Sequence, residues 1–418
     1  MLFRLGASEE GSGYPAPASA SAASNEHRAS GHAFPSASDD EPGGCQARNA
    51  ASGASNPILR EQLQENACED DRVSSFVDEV STSWPGVSVV MPALNEERHL
   101  EAAIRRVLDQ EYPGELEVIV AVGPSADRTR EIADALAAAD QRIRVVDNPA
   151  SRTPSALNLG IAASTHKIIV RVDGHGELTD GYIKRAVELL DETGAANVGG
   201  VMDAQGTTPF EEAVATAYTT RLGLGGSAFH LAESPAAEAE TVFLGVFRKD
   251  ALIAVGGFDE TMHRAQDWEL NYRLRTTGHK IWFSPELRVT YRPRSTLRAL
   301  AKQMYDTGTW RRELVRRHPE TANARYLAPP LAVLGVLAGS CLGLLGVLFD
   351  SRLLRLGFLA PAGYLALIIG GSAAAGQPMS AAARLRLPLV LAATHLSWGA
   401  GFLIGGRPVR RSQFDIMS

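Results

Sequence analysis

The feature that most constrains the fold is a regular alternation of short apolar runs with amphipathic segments in the first half of the ordered chain. Runs rich in Val and Ile predict buried strands at 87–92, 116–122, 142–146 and 168–172. The segments between these runs place their apolar residues at helical spacing. Strands that alternate with helices through short loops are typical of α/β proteins with a doubly wound, mostly parallel sheet.

Polar loops follow three of the predicted strands. These loops are Pro92–Glu96, Gly123–Asp127 and Asp173–His175. Doubly wound sheets bind their ligands beyond the carboxyl ends of the strands, so we expect the three loops to meet at one edge of the sheet. The sequence therefore predicts a ligand site at that edge.

Two interpretations fit the tripeptide Asp173-Gly174-His175. It is either a tight turn, since Asp and Gly favour the backbone angles that turns need, or a site for a divalent metal. The metal interpretation rests on Asp and His, which offer an oxygen and a nitrogen two residues apart. The convergence of three polar loops on one edge favours the metal.

Composition bounds the N-terminal part of the chain. Residues 1–84 are dominated by Ala, Ser, Gly, Pro and acidic residues, which predicts a disordered, low-complexity tail. The first 30 residues lack the apolar core of a signal peptide.

The three cysteines show no metal or disulfide spacing, which indicates a reducing compartment. The net charge of −7 argues against a nucleic-acid partner.

Long uncharged stretches dominate the last third of the chain. We predict a transmembrane region over 327–406, with about three spans at 327–349, 356–376 and 387–406. A basic juxtamembrane linker at 313–326 precedes the spans, and this places the catalytic domain in the cytoplasm, at the inner membrane. The tail at 407–418 is also basic, and three full crossings would put it outside. Either one stretch is re-entrant, or the linker outweighs the tail.

Several motifs resemble those of family 2 glycosyltransferases. They are, in chain order, Val87–Glu97, Ser125–Thr129, Ala156–Gly160 and Gly256–Glu260. Three more motifs resemble the membrane-anchored glucosyltransferases of succinoglycan-type exopolysaccharide synthesis: Arg171–His175, Gln266–Glu269 and Tyr291–Arg294. The resemblance implies a GT-A fold over 85–312. It also implies that a hexose is transferred, with inversion, from a nucleotide sugar, expected to be UDP-linked, to a lipid-linked saccharide in the membrane.

This chemistry gives roles to three residues. A departing nucleoside diphosphate carries about two negative charges, which a bound Mg²⁺ or Mn²⁺ would neutralise. Asp173 and His175 would hold that metal, and a histidine ligand favours Mn²⁺. Single displacement also needs a general base, a role that the resemblance gives to Asp267. The alternative role of Asp267 is to cap the start of a helix.

The resemblance assigns further residues to the nucleotide sugar. They are Pro92, Asn95, Glu96, Ser125, Asp127, Arg152, Asn158, Arg171 and Asp173. Helix capping and turn formation are the alternative roles of Asn95, Glu96 and Asp127. Arg152 precedes a helix, where it would either meet a phosphate or lie on the solvated surface. Val122-Gly123 stands where many family members carry an Asp that reads the nucleobase, which leaves the base open.

The segment Gln303–Arg311 loosely resembles the Gln-x-x-Arg-Trp motif of processive synthases. It indicates that Gln303, Trp310 and Arg311 contact the acceptor. Trp310 would either stack on an acceptor sugar or anchor the chain at the membrane interface. Two other functions stay open at this point: a processive polysaccharide synthase, and a non-catalytic membrane protein that binds nucleotide sugars or polysaccharide.

Overall fold

A computed structural model describes residues 84–406, except Gly225 and His263. The tail expected at 1–84, apart from its last residue, and the tail expected at 407–418 lie outside the described residues. The prediction of disorder for the first of these tails therefore stays a prediction.

A nine-stranded sheet forms the centre of the molecule. Its strands are β1 (Val87–Ala93), β2 (Leu116–Val122), β3 (Ile143–Asp147), β4 (Ile168–Arg171), β5 (Glu177–Leu178), β6 (Asn197–Ala204), β7 (Ala237–Glu238), β8 (Phe243–Arg248) and β9 (Ile281–Tyr291). The strand order is β3-β2-β1-β4-β8-β6-β9-β5, and β7 pairs with β9. The first four strands are parallel. Because β8 is antiparallel to both of its neighbours, the sheet becomes mixed beyond β4.

Helices follow most of the strands. In the described part of the chain they are α1 (Leu100–Leu108), α2 (Thr129–Ala139), α3 (Thr153–Ala163), α4 (Tyr182–Thr193), α5 (Pro209–Thr219), α6 (Lys249–Ala254), α7 (Gln266–Thr276), α8 (Leu297–Arg317), α9 (Ala324–Leu348), α10 (Arg352–Arg355), α11 (Leu359–Ala374) and α12 (Ala381–Ile404). The predicted α/β class, followed by apolar helices, is confirmed.

Strand β1 shows why helices cover both faces of the sheet. Val89 and Met91 are buried in a cluster with residues of α1 and α4. Val90 points the other way and is buried with Leu157 and Ile161 of α3. Apolar side chains that point alternately to both faces need a layer of helices on each side. The nearly continuous apolar runs in the sequence therefore explain the layered architecture.

The Gly- and Ala-rich stretch 205–240 shows few strong signals and predicts a mobile loop, but helix α5 lies in its first part. The Thr208 side chain accepts a hydrogen bond from the Glu211 backbone N–H, and the Glu211 side chain accepts one from the Thr208 N–H. Pro209 occupies the first turn of α5, where its missing N–H costs nothing. This capping box was readable in the sequence, although the Ala-rich helix that follows has little amphipathic pattern.

Two other boundaries differ from the predicted ones. The sequence predicts two short strands at 280–283 and 288–291, but the structure has the single strand β9, which pairs with β6 across an irregularity in register. The linker expected at 313–326 is largely helical, since α8 extends to Arg317 and α9 begins at Ala324. The basic residues Arg316, Arg317 and Arg325 of this region belong to these helices and so do not mark a flexible connection.

Three helical segments in the described part of the chain are long and apolar enough to cross a membrane. They are Ala324–Leu348, Arg352–Ala374 and Ala381–Ile404. The first two form an antiparallel hairpin, in which Gly339 packs against Gly357 and Gly343 packs against the ring of Phe358. Small residues at such contacts let apolar helices approach closely.

The third segment, α12, packs along α8. Gly308 contacts Trp398, the Thr309 hydroxyl donates to the Gly401 carbonyl at 3.2 Å, and Arg312 donates to the Leu403 carbonyl at 3.2 Å. Contact positions advance together along both helices, so the two run parallel. Towards the other end, residues of both helices share one buried cluster, namely Leu300, Met304, Leu387 and Leu391. Helix α12 is therefore attached to the sheet domain along its length.

We predict that Gly401→Ala destabilises the α8–α12 contact. A Cβ at Gly401 would lie 2.0 Å from the Tyr305 carbonyl oxygen, a backbone atom that cannot move away alone. The expected loss is about 1–3 kcal/mol, typical of overpacking, seen as a lower midpoint of thermal unfolding of the full chain in detergent. Gly370→Ala in α11 is the matched control, because a Cβ there meets nothing within 4 Å. Equal effects of the two changes would contradict the packing.

Candidate active site

A cavity of about 560 Å³ lies at the carboxyl ends of β1 and β4. Its walls come from the loops after β1, β3 and β4, from the start of α7 and from α8. A volume of this size is typical of small-molecule sites. Most of the predicted site residues line it: Pro92, Glu96, Arg152, Arg171, Asp173, His175, Asp267, Gln303, Trp310 and Arg311.

Arg171 connects the two sides of this cavity. It is the last residue of β4 and only 5% exposed. Its Nε and Nη2 donate to Oδ1 of Asp173 at 3.2 and 3.0 Å, and its Nη1 donates to Oδ1 of Asp267. Burial opposes the charge of the guanidinium, but the two carboxylates hold the pKa of Arg171 above its usual value. One buried cation thus fixes the carboxylate after β4 to the carboxylate at the start of α7.

Asp267 lies in the first turn of α7, but it does not cap the helix. The capping position is Ala265, which adopts a left-handed φ of 59° and makes no side-chain cap. The Asp267 side chain instead pairs with Arg171. Burial raises the pKa of Asp267, Arg171 opposes this shift, and the nearby charge of Asp173 adds to it, with a net rise. Two carboxylates share one guanidinium, so neither has a cation to itself.

The tripeptide after β4 is both a turn and part of the cavity wall. The backbone N–H of Gly176 donates to the Asp173 carbonyl at 2.8 Å, which closes the turn. His175 Nδ1 lies 2.9 Å from Oε1 of Glu96, and this contact raises the pKa of His175. A Cβ at Gly174 would lie 3.0 Å from Cγ of Glu96, so glycine allows the two loops to approach. The two interpretations of the tripeptide are therefore compatible.

Asp173 and His175 offer two ligands for a metal. Within the described residues, no group of three or more His, Cys, Asp or Glu side chains could hold an ion. Arg171 engages only Oδ1 of Asp173, and Glu96 holds His175 through Nδ1, the arrangement that presents Nε2 to a metal. The residues thus fit an ion such as Mg²⁺ or Mn²⁺, which commonly takes its other ligands from phosphates and water.

Three predicted nucleotide contacts bind other loops instead of lining the cavity. Asn95 has a left-handed φ of 57°; its N–H donates to Ser125 Oγ at 3.1 Å, and its Oδ1 accepts from the Ala126 N–H at 2.8 Å. Asp127 accepts from the Glu97 N–H at 3.1 Å. These bonds tie the loop after β1 to the loop after β2. For Asn95 and Asp127 the alternative of turn formation therefore fits.

Asn158 also serves the fold, and its assignment to the donor does not agree with its position. It is fully buried in α3, and its Nδ2 donates to the Phe258 carbonyl at 2.9 Å while its Oδ1 accepts from the Phe258 N–H at 2.8 Å. Nδ2 also donates to Glu260 at 3.0 Å. Both ends of the amide are used to hold the turn before α7, so Asn158 positions the loop that leads to the site.

The acceptor residues expected on α8 all face the cavity. Gln303 donates to the Tyr291 hydroxyl at 3.0 Å and accepts from Tyr218 and Arg294, each at 3.2 Å. Its amide is therefore used to position neighbours. Trp310 is 9% exposed. It shares a buried cluster with Met262 and Leu314, so it packs inside the protein, and its contact with the acceptor stays a prediction.

Two cavity residues were missed by sequence reasoning. Arg294 belongs to a motif that supported the family resemblance, a signal that could have marked it, whereas nothing in the sequence singles out Arg264. The cavity is lined by five arginines and three carboxylates: Arg152, Arg171, Arg264, Arg294, Arg311, Glu96, Asp173 and Asp267. Arginines in a concave site are well suited to phosphate groups.

Comparison with known proteins agrees with these features. Residues 88–256 match the family described as glycosyl transferase family 2. The chain is 33% identical over 318 residues to the succinoglycan biosynthesis protein ExoA of Rhizobium meliloti, which covers 75% of this chain and 93% of that protein. It is 26% identical over 233 residues to the glycosyltransferase AglE of Haloferax volcanii, which covers 55% and 74% respectively.

Solved structures give weaker likenesses. The mannosyltransferase PcManGT from Pyrobaculum calidifontis, in complex with GDP-Man and Mn²⁺, has a TM-score of 0.47 at 18% identity, covering 85% of this chain and 97% of that one. TarS of S. aureus with UDP-GlcNAc has a TM-score of 0.42 at 14% identity, covering 76% and 90%. Neither likeness carries a conclusion here. The similarity to ExoA and the family match together show that the chain belongs to glycosyl transferase family 2 and is a glycosyltransferase of exopolysaccharide or related glycan synthesis.

Proposed function

We propose that this glycosyltransferase moves a hexose, with inversion, from a UDP-linked sugar to a lipid-linked saccharide, with a divalent metal at the site. The observation that carries the proposal is the pairing of Asp173 and Asp267 through Arg171. Both carboxylates line the arginine-rich cavity, which supports a role for Asp173 as metal ligand and for Asp267 as general base. Membership in glycosyl transferase family 2 argues against the alternative of a non-catalytic protein. The length of the product would test the other alternative, a processive synthase.

On the donor side, Asp173 and His175 would hold the ion. A divalent ion bound there supplies positive charge to the departing diphosphate. Arg152 immediately precedes α3, and Arg264 precedes α7; both line the cavity and would bind phosphate oxygens. The charge of the leaving group is then spread over several cations.

On the acceptor side, Asp267 acts as general base. Its Oδ1 accepts from Arg171, so we assign proton transfer to Oδ2. The acceptor hydroxyl gives its proton to this oxygen while the hydroxyl oxygen bonds to the anomeric carbon and the bond from that carbon to the diphosphate breaks. One displacement on the face opposite the leaving group inverts the configuration.

We further propose that the protein is a multi-pass protein of the inner membrane, that only the hairpin α9–α11 crosses the bilayer, and that the catalytic domain is cytoplasmic. Helix α12 runs alongside α8 and packs against it. Helix α8 carries many charged side chains, which are unfavourable in hydrocarbon, so neither helix is expected to cross the bilayer. Two crossings return the chain to the side of the catalytic domain. The basic residues before the hairpin and those in the sequence after α12 then share one side, as the positive-inside rule favours. The conflict raised by three spans disappears.

Asp267→Asn is expected to remove transfer without removing donor binding. The amide keeps the size of the side chain but cannot take the proton, so the rate of transfer should fall about 10²- to 10⁴-fold. The measurement is transfer of labelled sugar by full-length protein, alongside equilibrium binding of UDP with Mn²⁺. Asp180→Asn, at an exposed carboxylate paired with Arg106, is the control. Residual transfer close to that of the control would overturn the base assignment.

His175→Asp is expected to shift the metal preference from Mn²⁺ toward Mg²⁺, because an all-oxygen site suits Mg²⁺ better. Glu96→Gln should weaken Mn²⁺ binding about tenfold by releasing the imidazole ring. Both are measured as metal affinity in the presence of UDP, by electron paramagnetic resonance for Mn²⁺ and by competition for Mg²⁺. Glu101→Gln, at an exposed residue of α1, serves as control. An unchanged preference in His175→Asp would exclude His175 as a ligand.

The topology predicts which positions react with a membrane-impermeant maleimide in sealed vesicles. Single cysteines are placed at Ser351 in the hairpin tip, at Ser412 beyond α12 in the sequence, and at the exposed Asp180 of the catalytic domain, in a chain without its native cysteines. We expect Ser412→Cys and Asp180→Cys to react from the same side, and Ser351→Cys from the other. Reaction of Ser351→Cys and Ser412→Cys from one side would show three crossings.

A further inference from the structure

A second cavity adjoins the active site. It measures about 550 Å³ and shares with the first cavity the residues Trp268, Tyr291, Gln303, Thr307 and Arg311. From there it extends between the sheet domain and the apolar helices α9, α11 and α12. Much of its wall is apolar and includes Leu222, Phe229, Pro329, Leu367 and Trp398. A ligand in it would reach from the catalytic site to the membrane-spanning hairpin.

Arg311 lies where the two cavities join. It is 5% exposed, and its Nε and Nη1 have no hydrogen-bond partner among the described residues. No carboxylate of the described part pairs with it either. Its guanidinium instead lies over two adjoining rings, 4.3 Å from the centre of Trp268 and 3.9 Å from that of Tyr326. A buried charge without an anionic partner is unfavourable, so this arrangement points to an anion that arrives with a ligand.

Arg325, in the first turn of α9, faces the same two rings. Its guanidinium lies 5.5 Å from Trp268 and 4.6 Å from Tyr326. It forms an ion pair with Glu240 at 2.9 Å, while its buried Nε has no partner. Burial lowers the pKa of His230 in the same cavity to about 3, so the imidazole adds no charge. Two guanidiniums and one carboxylate leave one net positive charge at the junction.

We infer that Arg311 and Arg325 bind the phosphate of the acceptor's lipid carrier, a polyprenyl phosphate or diphosphate whose chain lies along the apolar wall of the second cavity. The inference rests on the proposed function for the presence of a lipid-linked acceptor. It adds the residues that hold the carrier and the path of its chain. Guanidinium groups donate charge-assisted hydrogen bonds to phosphate, and Arg311 has two unpartnered donors, Nε and Nη1.

Two other sources of phosphate are less consistent with the geometry. In the proposed function the donor diphosphate is held near Asp173 and Arg152, which line the first cavity but not the second. A membrane phospholipid would fill the apolar wall, but its headgroup carries no saccharide to extend into the catalytic cavity. A ligand that fills both cavities would be an amphiphile with an anionic group between its apolar chain and its sugar.

The test is direct binding to the full-length chain in uncharged detergent, without donor or metal. The probes are farnesyl phosphate, farnesol, phosphatidic acid and inorganic phosphate, followed by UDP with Mn²⁺. We expect farnesyl phosphate to bind the unmodified chain more tightly than each of the other three probes. Arg311→Gln should weaken farnesyl phosphate binding about tenfold or more, the cost of a lost charged hydrogen bond, and Arg311→Lys should restore part of it. Arg298→Gln, at an exposed position of the same helix, should bind as the unmodified chain does.

Three results would overturn the inference. One is binding of farnesol or phosphatidic acid as tight as that of farnesyl phosphate, and another is unchanged farnesyl phosphate binding in Arg311→Gln. The third is a loss of UDP binding in that variant, which would place Arg311 at the donor. Should Arg311→Gln fail to fold, Arg325→Gln must show the loss of farnesyl phosphate binding instead. Absence of sugar transfer together with Arg311-dependent binding would contradict the proposed function and leave this site standing.

Discussion

The guanidinium of Arg171 is the interaction on which the site depends. It is buried at the end of β4, where a lone charge would be unfavourable, and two carboxylates from distant parts of the sequence pair with it. The pairing holds the turn after β4 against the start of α7 before any ligand binds. One cation serves two anions, which supports the proposed roles of Asp173 as metal ligand and of Asp267 as general base.

Helix α8 connects the site to the apolar helices. One of its faces contributes Gln303, Trp310 and Arg311 to the cavities, and another holds α12 along its length. The acceptor side of the site and the apolar helices are therefore one packed unit. Under the proposed function, the site would bind an acceptor whose lipid stays in the bilayer at a fixed distance from the membrane, without a domain movement.

Local pattern predicted the parts of the molecule that local interactions determine. The apolar runs of β1–β4, the turn at Asp173-Gly174-His175 and the three apolar helices are all encoded in short segments. Contacts between distant segments left no such signal. The amide of Asn158 is indistinguishable in sequence from a ligand contact, yet it binds Phe258, 100 residues away. Likewise, the spacing of apolar residues in α12 does not show that the charged helix α8, and not lipid, covers one of its sides.

The most direct test of the account is the fate of labelled sugar in membranes that contain the full-length protein. The membranes are incubated with radiolabelled nucleotide sugars, one at a time, with Mn²⁺ or with a chelator, and then extracted with organic solvent. We predict that one donor labels the lipid extract with a single added sugar, and only when the metal is present. Label found in water-soluble polymer, or transfer that persists with the chelator, would contradict a metal-dependent transfer to a lipid-linked acceptor.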